Sequence, residues 1–348
     1  MTNTPIRVSV DHRQWARGYI QALPIVGSIP IIQKYMRIGQ GPHEFMQRLI
    51  SESIDGVRYW PWPLQGDVGL FVVSGPRKRH FGKARKSSMP IIVRLDGIGF
   101  DSAGLTAVER ERQKLGMADT IHHADGIVFQ SQFSKSAFEQ VFGEMPCISE
   151  VIHNGFVWTA KVDESRRENR LVVGGRNAPR KRIQETIRRF IDSPFSQTYC
   201  LDVVGSIPQT DELRHSSVNF LGKVKPSILL RRLSTATGLL HLDWYDWCPN
   251  LVLDAISVGT PVLCGSVGGT PEIVGESGII ANLDEPMPNF QSSQQEVPFI
   301  KQEVFDANLN KLIQRSSKLF GQLRPDLEMR NVAFRYKEFI CRVGSGSV

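Results

Sequence analysis

From about residue 69 the chain alternates short, continuous apolar runs with stretches whose apolar residues recur at helical spacing. Val68–Val73, Pro90–Leu95 and Gly126–Phe129 read as strands, the last followed by a helix through Lys135 to Phe142 with Ser134 as its cap. Ser149–His153 comes next and ends in the turn Asn154-Gly155, a pair that tolerates left-handed geometry. A polar, charged stretch from Lys161 to Asn169 then interrupts the pattern. It restarts with a strand at Arg170–Gly175 and a helix from about Lys181 to Ile191. Further strands read at Tyr199–Gly205, Val218–Gly222, Gly238–Leu242 and Pro261–Cys264. Continuous apolar strands separated by helices predict parallel sheets covered on both faces.

Two α/β units in tandem, joined near residues 158–169, are the natural division: an N-terminal domain over 1–160 and a C-terminal domain over 161–325. The last predicted helix, Met329 to Val343, carries Val332, Phe334, Tyr336, Phe339 and Ile340. Its apolar face needs a partner, and residues 326–348 are predicted to pack back on the N-terminal domain. Residues 1–65 are less regular, because Pro24 and Pro30 interrupt the apolar stretch Ile20–Ile32.

Composition narrows the function. No apolar run approaches the roughly 20 residues of a membrane span, and the N-terminus lacks the basic, apolar and small-residue regions of a signal peptide. A cytoplasmic location is the resulting expectation. Five cysteines, scattered and without C-x-x-C spacing, argue against a disulfide framework and a zinc site. The net charge of +7 is concentrated in Arg77–Lys86, where six of ten residues are basic. A solvated loop is the plain reading of that run. The sharper one is contact with an anionic partner, either a membrane surface or a lipid-phosphate acceptor. Nucleic acid is not expected, since no recognised binding module accompanies the run.

Candidate chemistry gathers between Asp246 and Val262. Pro249 fits the first turn of a helix but not its interior. It therefore starts a helix that leaves Asp246 in the preceding loop and puts Asp254 on the second turn. Free backbone N–H groups and the dipole at such a helix start favour a phosphate, and carboxylates accept paired hydrogen bonds from vicinal hydroxyls. The two together suit a nucleotide-sugar. Asp243 and Asp246 alone make a poor Mg²⁺ site, and no metal or other cofactor is predicted.

This stretch resembles the family 4 retaining glycosyltransferases, continuously from roughly Ala124 to Ile280 and more faintly before. The family pattern of Glu, seven residues, Glu, with Pro-Asn between, has Asp246 and Asp254 at its ends here and Pro249-Asn250-Leu251 inside. It continues with Val258-Gly259-Thr260-Pro261-Val262 and Gly268-Gly269-Thr270-Pro271-Glu272-Ile273-Val274. Gly175-Arg176-Asn177-Ala178-Pro179-Arg180-Lys181 resembles the family's Gly-Arg-x-x-Pro-x-Lys segment, with Arg182 where Gly usually follows.

The resemblance implies a GT-B fold of two Rossmann-like domains with parallel sheets facing a central cleft, the donor lying mainly on the C-terminal domain. It also implies transfer of a sugar from a nucleoside-diphosphate-sugar to an acceptor hydroxyl (a glycan or a lipid-linked acceptor) with retention of configuration. Asp246 would touch the donor sugar and Asp254 the ribose. Arg176 and Lys181 would hold the diphosphate and stabilise charge on the leaving group. Changing either cation to Ala is expected to reduce turnover and leave the fold intact. The turns at Gly205 and Val224 would flank the base, and Gly39 and Gly41 correspond to the loop that approaches the phosphates. Asp96 stands where the family often has a His, and would either orient or deprotonate the acceptor hydroxyl or serve as a buried structural carboxylate. Asp in place of Glu at 246 and 254 keeps two other readings open: a catalytically silent nucleotide-sugar-binding protein, and a nucleotide-sugar epimerase on the same fold.

Overall fold

The computed structural model describes residues 5–10, 41–52, 54–60, 66–73, 78–98, 106–157, 167–292 and 295–346. The apolar stretch 20–32, Gly39 and Arg77 lie outside them. The described residues fall into two compact units. One comprises those within Met1–Gly155, Phe290–Ser293 and Met329–Val348; the other comprises those within Phe156–Asn289 and Gln294–Glu328.

Each unit is a six-stranded parallel sheet. In the N-terminal unit the strands are β1 (Ile6–Val10), β2 (Val57–Trp60), β3 (Val68–Val73), β4 (Ile91–Leu95), β5 (Gly126–Phe129) and β6 (Ile148–Val151), in the order β2-β1-β3-β4-β5-β6. Its helices are α1 (Gly41–Ser51), α2 (Lys78–Lys86), α3 (Ala107–His122) and α4 (Gln132–Phe142), joined by the C-terminal α10 (Met329–Gly344). In the C-terminal unit β7 (Glu168–Gly174), β8 (Cys200–Val204), β9 (Val218–Gly222), β10 (Ala236–His241), β11 (Val262–Gly265) and β12 (Gly278–Ala281) lie in the order β12-β11-β10-β7-β8-β9. Helices α5 (Ile183–Asp192), α6 (Pro226–Ser234), α7 (Asn250–Ser257), α8 (Thr270–Val274) and α9 (Gln302–Leu319) cover it.

Alternation along the strands of the C-terminal unit feeds two cores. Leu171, Val173, Leu240 and Leu263 face α5 and α9, whereas Val172, Leu239, Val262 and Cys264 face α6, α7 and α8. That is why the strands read as unbroken apolar runs. In the N-terminal unit Val8, Leu70, Ile92 and Val128 pack against α1 and against Met329, Val332, Tyr336, Phe339 and Ile340 of α10. Phe334, counted by sequence among the apolar positions of that helix, is 44% exposed.

Several expectations change. The division falls between Gly155 and Phe156 and between Glu328 and Met329, not after residues 160 and 325, and Phe290–Ser293 joins the first unit. Packing fixes these points: Phe156 is buried in the C-terminal core and its N–H donates to Leu327 at 2.9 Å. Gly155 lies against Met329, whose sulfur would be 2.8 Å from any added Cβ. Neither Asn154 nor Gly155 has positive φ, so close packing rather than left-handed geometry demands that glycine. The helix after β5 is capped by Ser131, which accepts from the Ser134 N–H at 3.0 Å. The basic run is a helix rather than a loop, because Phe81 and Ala84 share a face and are buried, with Phe81 edge-on to Phe71 at 5.5 Å. Gly41 is the first residue of α1 instead of part of a loop. No described helix is long and apolar enough to cross a membrane.

Candidate functional site

In the C-terminal unit the chain leaves β7 on one side toward β8 and β9, and resumes on the other with β10, β11 and β12. The carboxyl ends of β7 and β10 are thus adjacent at a topological switch point, where open α/β sheets leave a crevice for a ligand. Arg176 and Lys181 follow the C-terminal end of β7, Gly205 that of β8, Val224 that of β9 and Asp246 that of β10.

The glycines at that rim are set by close approach. Gly175 has φ +145° and donates to Val204 at 3.0 Å; Gly205 has φ +117°, and a Cβ on it would sit 2.1 Å from the Gly175 carbonyl oxygen. A Cβ on Gly174 would meet Leu251 on α7 at 3.5 Å. Val224 and Leu251 both pack half-buried on the core beneath α7. Pro249 sits one position ahead of α7, Asn250 opens the helix and Asp254 lies on its second turn, half-buried.

The segment after β7 differs from the predicted helix. Pro179–Lys181 forms a 3-10 turn, Arg182 takes a left-handed conformation (φ 44°, ψ 28°), and α5 begins only at Ile183. A glycine would adopt that backbone without strain. Arg182 holds it because its buried guanidinium forms an ion pair with Glu285 and donates to Leu242 at 2.8 Å and Pro298 at 3.1 Å. The turn is thereby tied to the loop after β10. Arg180 adds to the tie: it donates to the Tyr245 carbonyl at 2.7 Å and lies 5.1 Å over the Tyr245 ring.

Lys181 points inward, with 11% of its side chain exposed. Its ammonium donates to the carboxylates of both Asp243 and Asp246. Arg180 approaches Asp246 at 3.9 Å, and the Trp247 N–H donates to Asp246 Oδ1 at 2.8 Å. Burial works against the Asp246 charge, but Lys181 and then Arg180 outweigh it and hold its pKa far below the usual carboxylate range. Burial likewise opposes the Lys181 charge, while Asp243 and Asp246 raise its pKa above the usual lysine value. Arg176, by contrast, is exposed.

Two members of this cluster have no role assigned from the sequence: His241 is not singled out there, and Asp243 is weighed only as a metal ligand. Asp243 and His241 are 5% and 3% exposed, and His241 Nε2 lies 3.3 Å from Asp243 and 3.8 Å from Asp246. Burial lowers the His241 pKa against the pull of Asp243, so the imidazole is neutral at pH 7. His241 ends β10, and Asp243 lies two residues on, the strand period that returns a side chain to the same side. Asp243 and Asp246 therefore do have a third ligand-type neighbour: atoms of His241, Asp243 and Asp246 lie within 4.8 Å of one another. The Lys181 ammonium already bridges the two carboxylates, which is the place a cation would take.

Gly268 and Gly269 explain themselves from the same loop. Gly269 donates to the Asp246 carbonyl at 2.7 Å, while Gly268 has φ +103° and would bring a Cβ to 2.9 Å from the Asp246 backbone nitrogen. Gly268→Ala is expected to destabilise the protein by about 1–3 kcal/mol, the usual cost of a forced backbone. Chemical denaturation reads this directly, and an unchanged midpoint would remove the close-approach argument.

In the N-terminal unit Asp96 is at the carboxyl end of β4. It is paired with the fully buried Arg94 and accepts from Gln130 at 2.8 Å. Arg94 also donates to Asn154 and stacks 4.0 Å over Phe45. Burial pushes the Asp96 carboxyl up to about 6, with Arg94 acting against it. This cluster is built from the first residues past β4 and β5, Asn154 three residues past β6, and an arginine inside β4.

Residues 168–290 match the family model described as Glycosyl transferases group 1. Among curated proteins, the O-antigen chain mannosyltransferase B of Escherichia coli is similar over 72 residues at 29% identity, which is 21% of this chain and 19% of that protein. The fold is similar to AviGT4, a glycosyltransferase involved in avilamycin A biosynthesis, with a TM-score of 0.58 at 15% identity over 99% of each chain. Anabaena HepE in complex with UDP and glucose superposes with a TM-score of 0.56 at 14% identity, covering 97% of this chain and 100% of that one. The protein thus has the GT-B fold, and its residues 168–290 are similar to the group 1 glycosyl transferases.

Proposed function

We propose that this protein is a glycosyltransferase that moves a sugar from a nucleoside-diphosphate-sugar to an acceptor hydroxyl with retention of configuration. The observation that carries the reading is the gathering of Arg180, Lys181 and Asp246 at the carboxyl ends of β7 and β10, with exposed Arg176 two residues past β7 and Leu251 of α7 packed at the end of that strand. The diphosphate is assigned to Arg176 and to the backbone N–H groups at the start of α7, where partial positive charge favours anions. Asp246 is assigned to the sugar hydroxyls and Asp254 to the ribose. The cations stabilise charge on the departing nucleoside diphosphate, and the acceptor attacks the same face, its proton passing to the leaving phosphate.

The reaction is proposed to need no metal, since the Lys181 ammonium supplies the positive charge between Asp243 and Asp246. The acceptor is assigned to the N-terminal unit. There Lys83, Arg85 and Lys86 on α2 present an exposed basic face that suits an anionic or lipid-linked acceptor.

Thermal denaturation in the presence of UDP-glucose, GDP-mannose and other nucleotide-sugars tests the reading. The correct donor at a hundred times its dissociation constant adds about 2.7 kcal/mol, which raises Tm by roughly 4 °C in a protein of 348 residues. Free nucleoside diphosphate should then appear when acceptor is added. Absence of a shift with every nucleotide-sugar and every nucleoside diphosphate at millimolar concentration would refute the assignment.

A further inference from the structure

We propose that Asp243 is a positioning residue of the donor site: it keeps hold of the Lys181 ammonium while Asp246 exchanges that ammonium for hydroxyls of the donor sugar. The inference rests on the donor-site reading above and adds a division of labour between two carboxylates.

The geometry shows why one carboxylate is not enough. Asp246 accepts from Lys181 through Oδ2 and from the Trp247 N–H through Oδ1. A single carboxylate paired with a single buried ammonium would be a closed pair, because pulling Asp246 toward a sugar would strand the Lys181 charge out of water. Asp243 removes that obstacle. Its carboxylate is 4% exposed on its side chain, is bonded to the same ammonium, and sits on the short stretch between β10 and Asp246. Two carboxylates thus share one lysine, with neutral His241 facing both and Arg180 at 3.9 Å from Asp246. Asp246 is also the more accessible of the two, at 14% of its side chain. The partner that can turn to a ligand is Asp246, and the partner that stays is Asp243.

The exchange predicts a signature that loss of structure would not give. In Asp243→Asn, Lys181 has only Asp246 left as a charged partner, so Asp246 stays engaged and the sugar part of the donor loses its acceptor. The ratio of affinities, nucleotide-sugar over the matching nucleoside diphosphate, should fall about ten- to a hundredfold, the worth of one hydrogen bond to a charged group. Affinity for the nucleoside diphosphate alone should change less than threefold. Adding Lys181→Gln to Asp243→Asn removes the charge that captures Asp246 and should restore most of the ratio.

Calorimetric titration of wild type, Asp243→Asn and Asp243→Asn/Lys181→Gln with UDP, UDP-glucose, GDP and GDP-mannose reads all of this. Equal weakening of nucleotide and nucleotide-sugar in Asp243→Asn, or an unchanged ratio, would overturn the proposal. If the single variant does not fold, a double variant that has lost the ratio overturns it and one that keeps it supports it. Failure of wild type to bind any of the four ligands would instead reject the donor-site reading on which the proposal stands.

Discussion

Replacing Lys181 by Ala is expected to destabilise the protein by about 3–5 kcal/mol, the cost of removing one partner from a buried ion pair. In a protein of 348 residues that lowers Tm by roughly 4–7 °C. The reason is the company the ammonium keeps: Asp243 and Asp246 both rest on it, and without it two carboxylates face each other, with Arg180 at 3.9 Å from Asp246. The sequence-based expectation that this change would spare the fold is therefore replaced by its opposite. The pH dependence provides a check of sign. The wild-type Asp246 pKa is depressed, so its stabilisation is present above the ordinary carboxylate range of about 3.9 and is lost only as pH falls below it. In the variant the two carboxylates repel without a cation between them, and acid relieves that repulsion, so the variant regains stability as pH falls. The gap between the two proteins should be widest near neutral pH and narrow in acid. Scanning calorimetry at pH 7.5 and pH 4.5 measures both, and a Tm within 2 °C of wild type at pH 7.5 would show that Lys181 is not the keystone of the cluster.

What the chain reveals in one dimension follows from the physics of each feature. The strands were legible because both faces of each sheet are covered, which leaves unbroken apolar runs such as Leu239-Leu240 and Val262-Leu263. Asp246, Asp254 and the pair Gly268-Gly269 were legible because their order along the chain is itself the pattern. His241 and Asp243 were not, since their role depends on a lysine sixty residues earlier that arrives through a 3-10 turn. A signal was nonetheless present: an Asp two residues after a His at the end of an apolar strand puts two polar groups on one side. Arg182 hid for a similar reason, because only the left-handed backbone shows why glycine is usual there and only Glu285 shows what holds the arginine instead. Arg94, a charge inside the apolar run Ile91–Leu95, marked a buried partner that sequence could not name; the structure supplies Asp96 and Asn154.

Arg176→Ala, in contrast to Lys181→Ala, is expected to lower kcat about 10²- to 10³-fold and leave stability nearly untouched. Arg176 follows Gly175, whose positive φ turns the chain outward at the end of β7, and its side chain is exposed. Exposed substitutions of this kind move stability by no more than about 0.5 kcal/mol. The catalytic cost comes from the proposed role: removing one fixed donor from a site where charge develops typically lowers kcat by that factor. Of Arg176, Arg180 and Lys181, Lys181 is held by two carboxylates and Arg180 by the Tyr245 carbonyl and ring. Arg176 is the one whose exposed position leaves its guanidinium within reach of a phosphate without first breaking a buried pair. Arg176→Lys keeps the charge but loses the planar fork that matches phosphate oxygens, and should recover only part of the rate. Steady-state kinetics on the donor found by thermal shift, paired with Tm for each variant, decides the matter. A wild-type kcat in Arg176→Ala would move the leaving-group role away from Arg176, and a reduced kcat accompanied by a large fall in Tm would show that the residue acts through the fold.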